Sequence, residues 1–156
     1  MNPRISWLPD TNVVSEVMRP SPEPRVAEFL GRVAAERIGL ASITVWEILS
    51  GIGRLDPGRR RDELAERFEG ILDDFFEDRV LDWTLADAKA CAHIMEARRR
   101  EGEPLDDHLP DAMIVAAAAA RGLGVVTLDV GGFRNAGIHA VNPWNANDVM
   151  PGERGT

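Results

Sequence analysis

A chain of 156 residues with a formal net charge of −8 and a single cysteine is long enough to bury a full core as one domain without a staple. The acidic balance argues against a protein that holds nucleic acid by bulk electrostatics, since non-specific affinity comes mainly from Lys and Arg on phosphate. Cys91 has no disulfide partner, the apolar run 112–120 falls short of the ~20 residues that span a bilayer, and MNPRISWLPD lacks the apolar core of a signal peptide, so a soluble, cytoplasmic protein with no membrane segment is expected.

Taken in chain order, Ile5 to Pro9 reads as a short strand and Asp10 to Val17 as a helix closed by the Pro-rich loop RPSPEP. Residues 24–36 carry apolar positions at helical spacing behind Pro24, which suits a helix start. A second strand, 38–42, leads into a helix over 43–55, and a charged amphipathic helix spans about 60–76. Residues 79–83 form a short strand, 84–102 a long helix ended by glycine, and 110–122 a helix with Pro110 at its first turn and Gly122 past its end. GVVTL, 124–128, is a strand of the fully buried kind, and 138–142 a last edge strand. Strands interleaved with helices predict an α/β fold, with a mostly parallel sheet covered on both faces. A single domain is expected over 1–145, followed by a flexible C-terminal tail, 146–156.

In such a fold, functional groups gather where strands hand over to helices at the carboxyl edge of the sheet. Asp10 ends the first strand, Glu47 lies in the first turn after the second, Asp111 opens the 110–122 helix, and Asp129 follows GVVTL. Each acid also has a plain structural explanation. Asp10 or Asn12 suits an N-cap, Thr44 and Glu47 match the T-x-x-E capping box, Asp111 suits the helix dipole, and Asp129 suits a turn. What these explanations leave aside is that all four fall on one edge.

Four carboxylates closing on one another are destabilising without a cation, and hard oxygen ligands suit Mg²⁺ or Mn²⁺. No His or Cys cluster competes for a softer metal: three histidines are scattered, and His108, the one near the acids, reads better as a surface or cap residue. Asp106 and Asp107 read as solvated loop residues. Such a site supports hydrolysis of a phosphodiester by a metal-activated water, and bound cations would invert the local sign of the charge for a phosphate substrate. Arginines at 59–61 and 98–100 are candidates for phosphate contacts, although solvated helix faces explain them equally well.

The ordered set PDTNVVSE, ASITVWEILSG, PDAMIVAAAAARGLGVVT and GFRNAGIHAVNPW resembles the PIN-domain family, and within it the VapC and FitB-like toxins of type II toxin–antitoxin systems. The resemblance runs from about residue 7 to residue 144. It implies a PIN-like three-layer fold with four to five central strands. It also implies a metal-dependent endoribonuclease, usually dimeric, held inactive by a cognate VapB/FitA-like antitoxin. By position, Asp10, Glu47, Asp111 and Asp129 take the places of the family's catalytic and metal-binding acids, with Mg²⁺ or Mn²⁺ as cofactor, while Thr11, Asn12 and Thr127 take its polar supporting places.

The chain departs from that pattern twice. Pro9 precedes Asp10, which removes a backbone donor and calls for an edge position or a local bend. After Thr127 it reads LDVGG, without the basic residue and second acid of many relatives, which makes Asp129 the weakest of the four assignments. Trp46, Ile48, Leu49, Ile52 and the Met18 region are candidates for an antitoxin groove or dimer contact, with core packing as the competing explanation. Two other functions fit parts of the pattern: a catalytically inert PIN-like binding module acting through its complexes, and a phosphoryl-accepting receiver, for which Lys89 is badly placed in mid-helix.

Overall fold

The structure, a computed structural model, describes residues 4–102 and 109–145. His108, Asp106, Asp107 and the expected tail 146–156 lie outside the described residues.

Among the described residues five short strands and seven α-helices alternate. The strands are β1 (Trp7–Pro9), β2 (Leu40–Ala41), β3 (Val80–Leu81), β4 (Gly124–Val126) and β5 (Ala140–Val141). The helices are α1 (Thr11–Val17), α2 (Pro24–Gly31), α3 (Ser42–Gly53), α4 (Arg59–Gly70), α5 (Leu85–Arg100), α6 (Leu109–Arg121) and α7 (Val130–Asn135). β1, β4 and β5 form a parallel sheet, β2 and β3 a parallel pair, and one parallel bridge, Trp7 to Ile38, joins the two. The resulting order is β3-β2-β1-β4-β5, so the winding reverses between β1 and β4. That reversal opens a crevice beyond the carboxyl ends of these two strands.

Pro9 sits inside this sheet, neither at an edge nor at a bend, paired in register with Val126. Its tolerance follows from strand parity. The Asp10 N–H donates to the Val126 carbonyl at 2.9 Å, so the backbone of Pro9, one residue earlier, faces the β2 side. There the ladder is already reduced to the single bridge, and the missing donor interrupts nothing further.

Both faces of the sheet are covered, which explains why its strands read as continuous apolar runs. Leu8, Val125 and Ala140 point to one side, against Ile114, Val115 and Ala118 of α6 and Phe133 of α7. Trp7, Val126 and Val141 point to the other, against Val13 of α1 and Val26 and Phe29 of α2. Gly124 is required beneath the Trp7 ring, because a Cβ there would lie 2.5 Å from it. A third cluster wraps β2 with Met18, Ile48, Phe68 and Phe76.

α5 and α6 run antiparallel through small residues, with Cys91 against Ala112 and Ala116. Arg121 at the end of α6 closes a buried, two-pronged ion pair on Asp87 in the first turn of α5, at 2.6 and 3.0 Å. Asp87 also completes a capping box with Thr84. Among the described residues no helix is long and apolar enough to cross a membrane.

Two helix ends and one whole helix depart from the sequence expectation by more than two residues. The helix expected over 24–36 stops at Gly31, a poor helix former, and a separate 3₁₀ turn covers Ala35–Arg37. The helix expected to about residue 76 changes at Gly70 into a π-helical turn, Ile71–Phe76, whose end is tied to β2 by buried Arg79 donating to the Ile38 carbonyl at 3.0 Å. α7 is absent from the sequence expectation, because VGGFRN has poor helix propensity. It forms because Asp129 caps it and Phe133 is buried beneath it.

Candidate metal and active site

Asp10 leaves β1 straight into the crevice and is 5% exposed. One carboxylate oxygen, Oδ1, accepts from the Val13 N–H at 3.1 Å, so Asp10 is itself the N-cap of α1. Of the two N-cap candidates, Asp10 and Asn12, the acid does the capping. Oδ2 accepts from the Thr127 hydroxyl across the β1–β4 junction. That hydroxyl in turn accepts from the Asp129 N–H at 2.9 Å, so its proton is committed to Asp10.

Glu47 lies in the second turn of α3, not the first, and does not close a capping box. The helix begins at Ser42 with Ala41 as an uncapped start. Thr44 is within the first turn, fully buried, and its hydroxyl finds no hydrogen-bond partner among the described residues. Glu47 Oε1 accepts instead from the Thr11 hydroxyl of α1 at 2.7 Å. Two threonines, from α1 and from the end of β4, thus each hold one acid.

Asp111 stands in the first turn of α6, as expected. The electrostatics show that it shares a field with the other two. Burial pushes the Asp10 carboxyl above its ordinary range, and the Asp111 charge adds to this, while hydrogen bonds from Thr127, Val13 and Asn12 oppose it. Burial likewise raises Glu47, with the charges of Asp111 and Asp10 pushing the same way and Thr11 opposing. Three acids from three separate elements therefore repel one another at one strand edge.

Asp129 is placed differently. Its carboxylate is exposed and caps α7 by accepting from the Gly132 N–H at 3.2 Å. Gly132 has to be glycine for that cap to close, since a Cβ would stand 2.5 Å from Asp129 Oδ2. Asp129 joins Asp111 in lining a cleft of about 500 Å³ between α5, α6 and α7. Thr11, Asn12 and Glu47 line a second groove, of about 900 Å³, along α1, α3 and α4. Met18, Ile48 and Ile52 from the expected apolar groove edge this second groove but belong to the core, whereas Trp46 and Leu49 are 57% and 43% exposed.

Among the described residues no three His, Cys, Asp or Glu side chains close into a finished ligand cage. The donors nevertheless fit a hard divalent cation. They are carboxylate and hydroxyl oxygens, and two of the carboxyls are raised by burial and mutual repulsion that a cation would relieve. Of the α5 residues that wall the 500 Å³ cleft, sequence reasoning singled out Arg98, as a candidate phosphate contact, but missed His93 and Ala97. The four-residue spacing of those two along one helix face was the signal available.

The PIN domain profile matches residues 7–138. The chain belongs to the PIN-domain family. It is 38% identical over 139 residues to the plasmid stability protein StbB of Pseudomonas syringae pv. tomato, covering 89% of this chain and 99% of that one. It is 34% identical to the toxin FitB of Neisseria gonorrhoeae, over 88% and 98% of the two chains. It is 32% identical to the VapC ribonuclease Y4jK of Sinorhizobium fredii, over 86% and 95%. Among solved structures, FitAB bound to an IR36 DNA fragment superposes with a TM-score of 0.80 at 32% identity, over 92% of this chain and 99% of that one. DNA-bound VapBC from Salmonella typhimurium superposes with a TM-score of 0.74 at 25% identity, over 89% and 98%.

Proposed function

We propose that this PIN-domain protein is the toxin of a toxin–antitoxin pair, a Mg²⁺- or Mn²⁺-dependent endoribonuclease restrained by a cognate antitoxin. The observation that carries the proposal is the convergence of Asp10, Glu47 and Asp111, from β1/α1, α3 and α6, into one mutually repelling group at the switch point of the sheet. The named relatives FitB and VapC ribonuclease Y4jK, and neighbours solved as toxin–antitoxin assemblies, support the biological setting.

Asp10, Glu47 and Asp111 would hold the cation, with Asp129 as a fourth acid from the adjoining cleft. When bound, the ion supplies an activated water and neutralises charge on the phosphate oxygens. Thr127 orients Asp10, and Thr11 orients Glu47, each by donating its only hydroxyl proton to the acid. Asn12 stands exposed at the mouth of the Glu47 groove, where it can meet substrate or water. Neither the ribose 2′-OH nor a histidine base is needed in this scheme. Exposed Trp46 and Leu49 on α3 offer apolar surface for the antitoxin or for a second copy in a homodimer.

The test is cleavage of total cellular RNA by purified protein freed of partner, with Mn²⁺ or Mg²⁺ against EDTA. Discrete, metal-dependent fragments are expected from the natural chain. None are expected from Asp111→Asn, whose circular dichroism should be unchanged. Cleavage retained by Asp111→Asn overturns the site, and no cleavage by the natural chain with any metal favours the inert binding module.

A further inference from the structure

We propose that Arg98 is a substrate-positioning residue, which reaches from α5 into the cleft shared by Asp111 and Asp129 and holds there a phosphate of single-stranded RNA flanking the cut bond. The inference rests on the ribonuclease reading above and adds to it the path of the strand.

Arg98 belongs to an arginine triplet, and the structure separates its members. Arg99 and Arg100 both pair with Glu96 on the outer surface of α5, Arg100 at 3.4 Å. Arg98 points elsewhere. Cys91, Ile94 and Arg98 stand at i, i+3 and i+7, on one face of the helix. Cys91 is buried against Ala112 and Ala116 of α6, and Ile94 packs beside it, so that face is held against α6. Because the two helices run antiparallel, as the Asp87–Arg121 pair at the other end requires, the face emerges at Arg98 where α6 begins, with Asp111. Arg98 is half-buried and lines the cleft at this end of α5, and its charge is felt by the Cys91 thiol, where it opposes the effect of burial.

The cleft it enters is of nucleotide size and sets one arginine among carboxylates. Its volume of about 500 Å³ falls within the range of roughly 300–1,000 Å³ typical of small-ligand sites. Among the described residues, Arg98 is the one arginine in its lining, set with three carboxylates: Asp111 and Asp129 across the cleft and Glu101 at the end of its own helix. A phosphate would be repelled by those acids alone, and a guanidinium can grip it in two-pronged fashion while the acids deal with the neighbouring phosphate. Complementing the helix dipole is the competing role for a cation in the last turn of α5. That role requires no cleft, and Arg99 and Arg100 fill it equally well.

The experiment measures binding and cleavage separately. A fluorescent single-stranded oligoribonucleotide is titrated with Mg²⁺ present against the full chain carrying Glu47→Gln, which blocks cutting. Adding Arg98→Gln is expected to weaken binding about tenfold or more and to reduce the slope of log affinity against log salt by about 0.7. Arg98→Lys should recover part of the affinity, and Arg99→Gln should leave affinity and slope unchanged. In the cutting-competent chain, Arg98→Gln should raise KM similarly with kcat little changed. Arg98→Gln behaving like Arg99→Gln, or no RNA bound by the Glu47→Gln chain, overturns the inference. RNA bound through Arg98 but never cut by the natural chain sinks the ribonuclease reading and leaves the RNA cleft standing.

Discussion

At the scale of single residues, the site is a set of carboxyls kept in place by hydroxyls at the expense of charge repulsion. Asp10 and Glu47 both have folded pKa values raised above the ordinary 3.8 and 4.5. Between the ordinary and the raised values the folded chain holds more protons than the unfolded one, so their contribution to stability falls as pH rises through that window. Metal-free protein should therefore gain thermal stability as pH is lowered towards the ordinary carboxylate range, until other carboxylates protonate. Glu47→Gln should remove part of this dependence and melt no lower than the natural chain in EDTA at neutral pH. Scanning calorimetry across pH checks both, and a metal-free Glu47→Gln that melts well below the natural chain contradicts them. Thr127→Val, nearly isosteric, leaves Asp10 Oδ2 and the Asp129 N–H without their shared hydroxyl. A loss of about 1–3 kcal/mol is expected in denaturant unfolding, with metal affinity lowered roughly 10- to 100-fold in calorimetry.

At the scale of elements, α5 and α6 are clamped by Asp87 and Arg121, whose side chains are 1% and 9% exposed. Asp87→Ala strands a buried guanidinium and breaks the Thr84 capping box, so about 3–5 kcal/mol should be lost in denaturant unfolding. The tip of α6 carrying Asp111 lies at the far end of that helix pair. Metal affinity under native conditions should therefore change little, and a large change would show that the clamp positions the acid. Neither Asp87 nor Arg121 stands out in the sequence, because 34 residues separate them. The punctuation of α6 does stand out. Pro110 and Gly122 mark its two ends, and that local signal is enough to put Asp111 in the first turn, where the fold has it. For Glu47 the local signal misleads by one turn, because T-x-x-E at 44–47 imitates a capping box. Whether Thr44 caps or is buried depends on where β2 ends, which packing and not local propensity decides.

At the scale of the whole molecule, three mutually repelling acids on one sheet edge predict that a divalent cation binds the folded chain and not the unfolded one. Saturating Mn²⁺ or Mg²⁺ should raise the melting temperature by mass action, through a stability gain of about 2.7 kcal/mol at a hundredfold excess over Kd. Asp111→Asn should abolish most of that rise, and an equal rise in both proteins would place the cation elsewhere. The alternation of strands and helices, the parallel sheet and the position of Asp10 and Asp111 at its carboxyl edge are all legible in the sequence. Apolar runs of strand and helix period, cut by Pro, Gly and capping residues, are local signals. Only the tertiary structure decides that Asp10 caps its own helix, that Thr11 holds Glu47 and that Thr127 holds Asp10 from 117 residues away. It alone seats Asp129 on an unforeseen α7 and turns Arg98, but not Arg99 or Arg100, into the cleft. Such contacts join elements distant in the chain, and their geometry is set by how helices pack on the two faces of the sheet, which no local pattern of residues encodes.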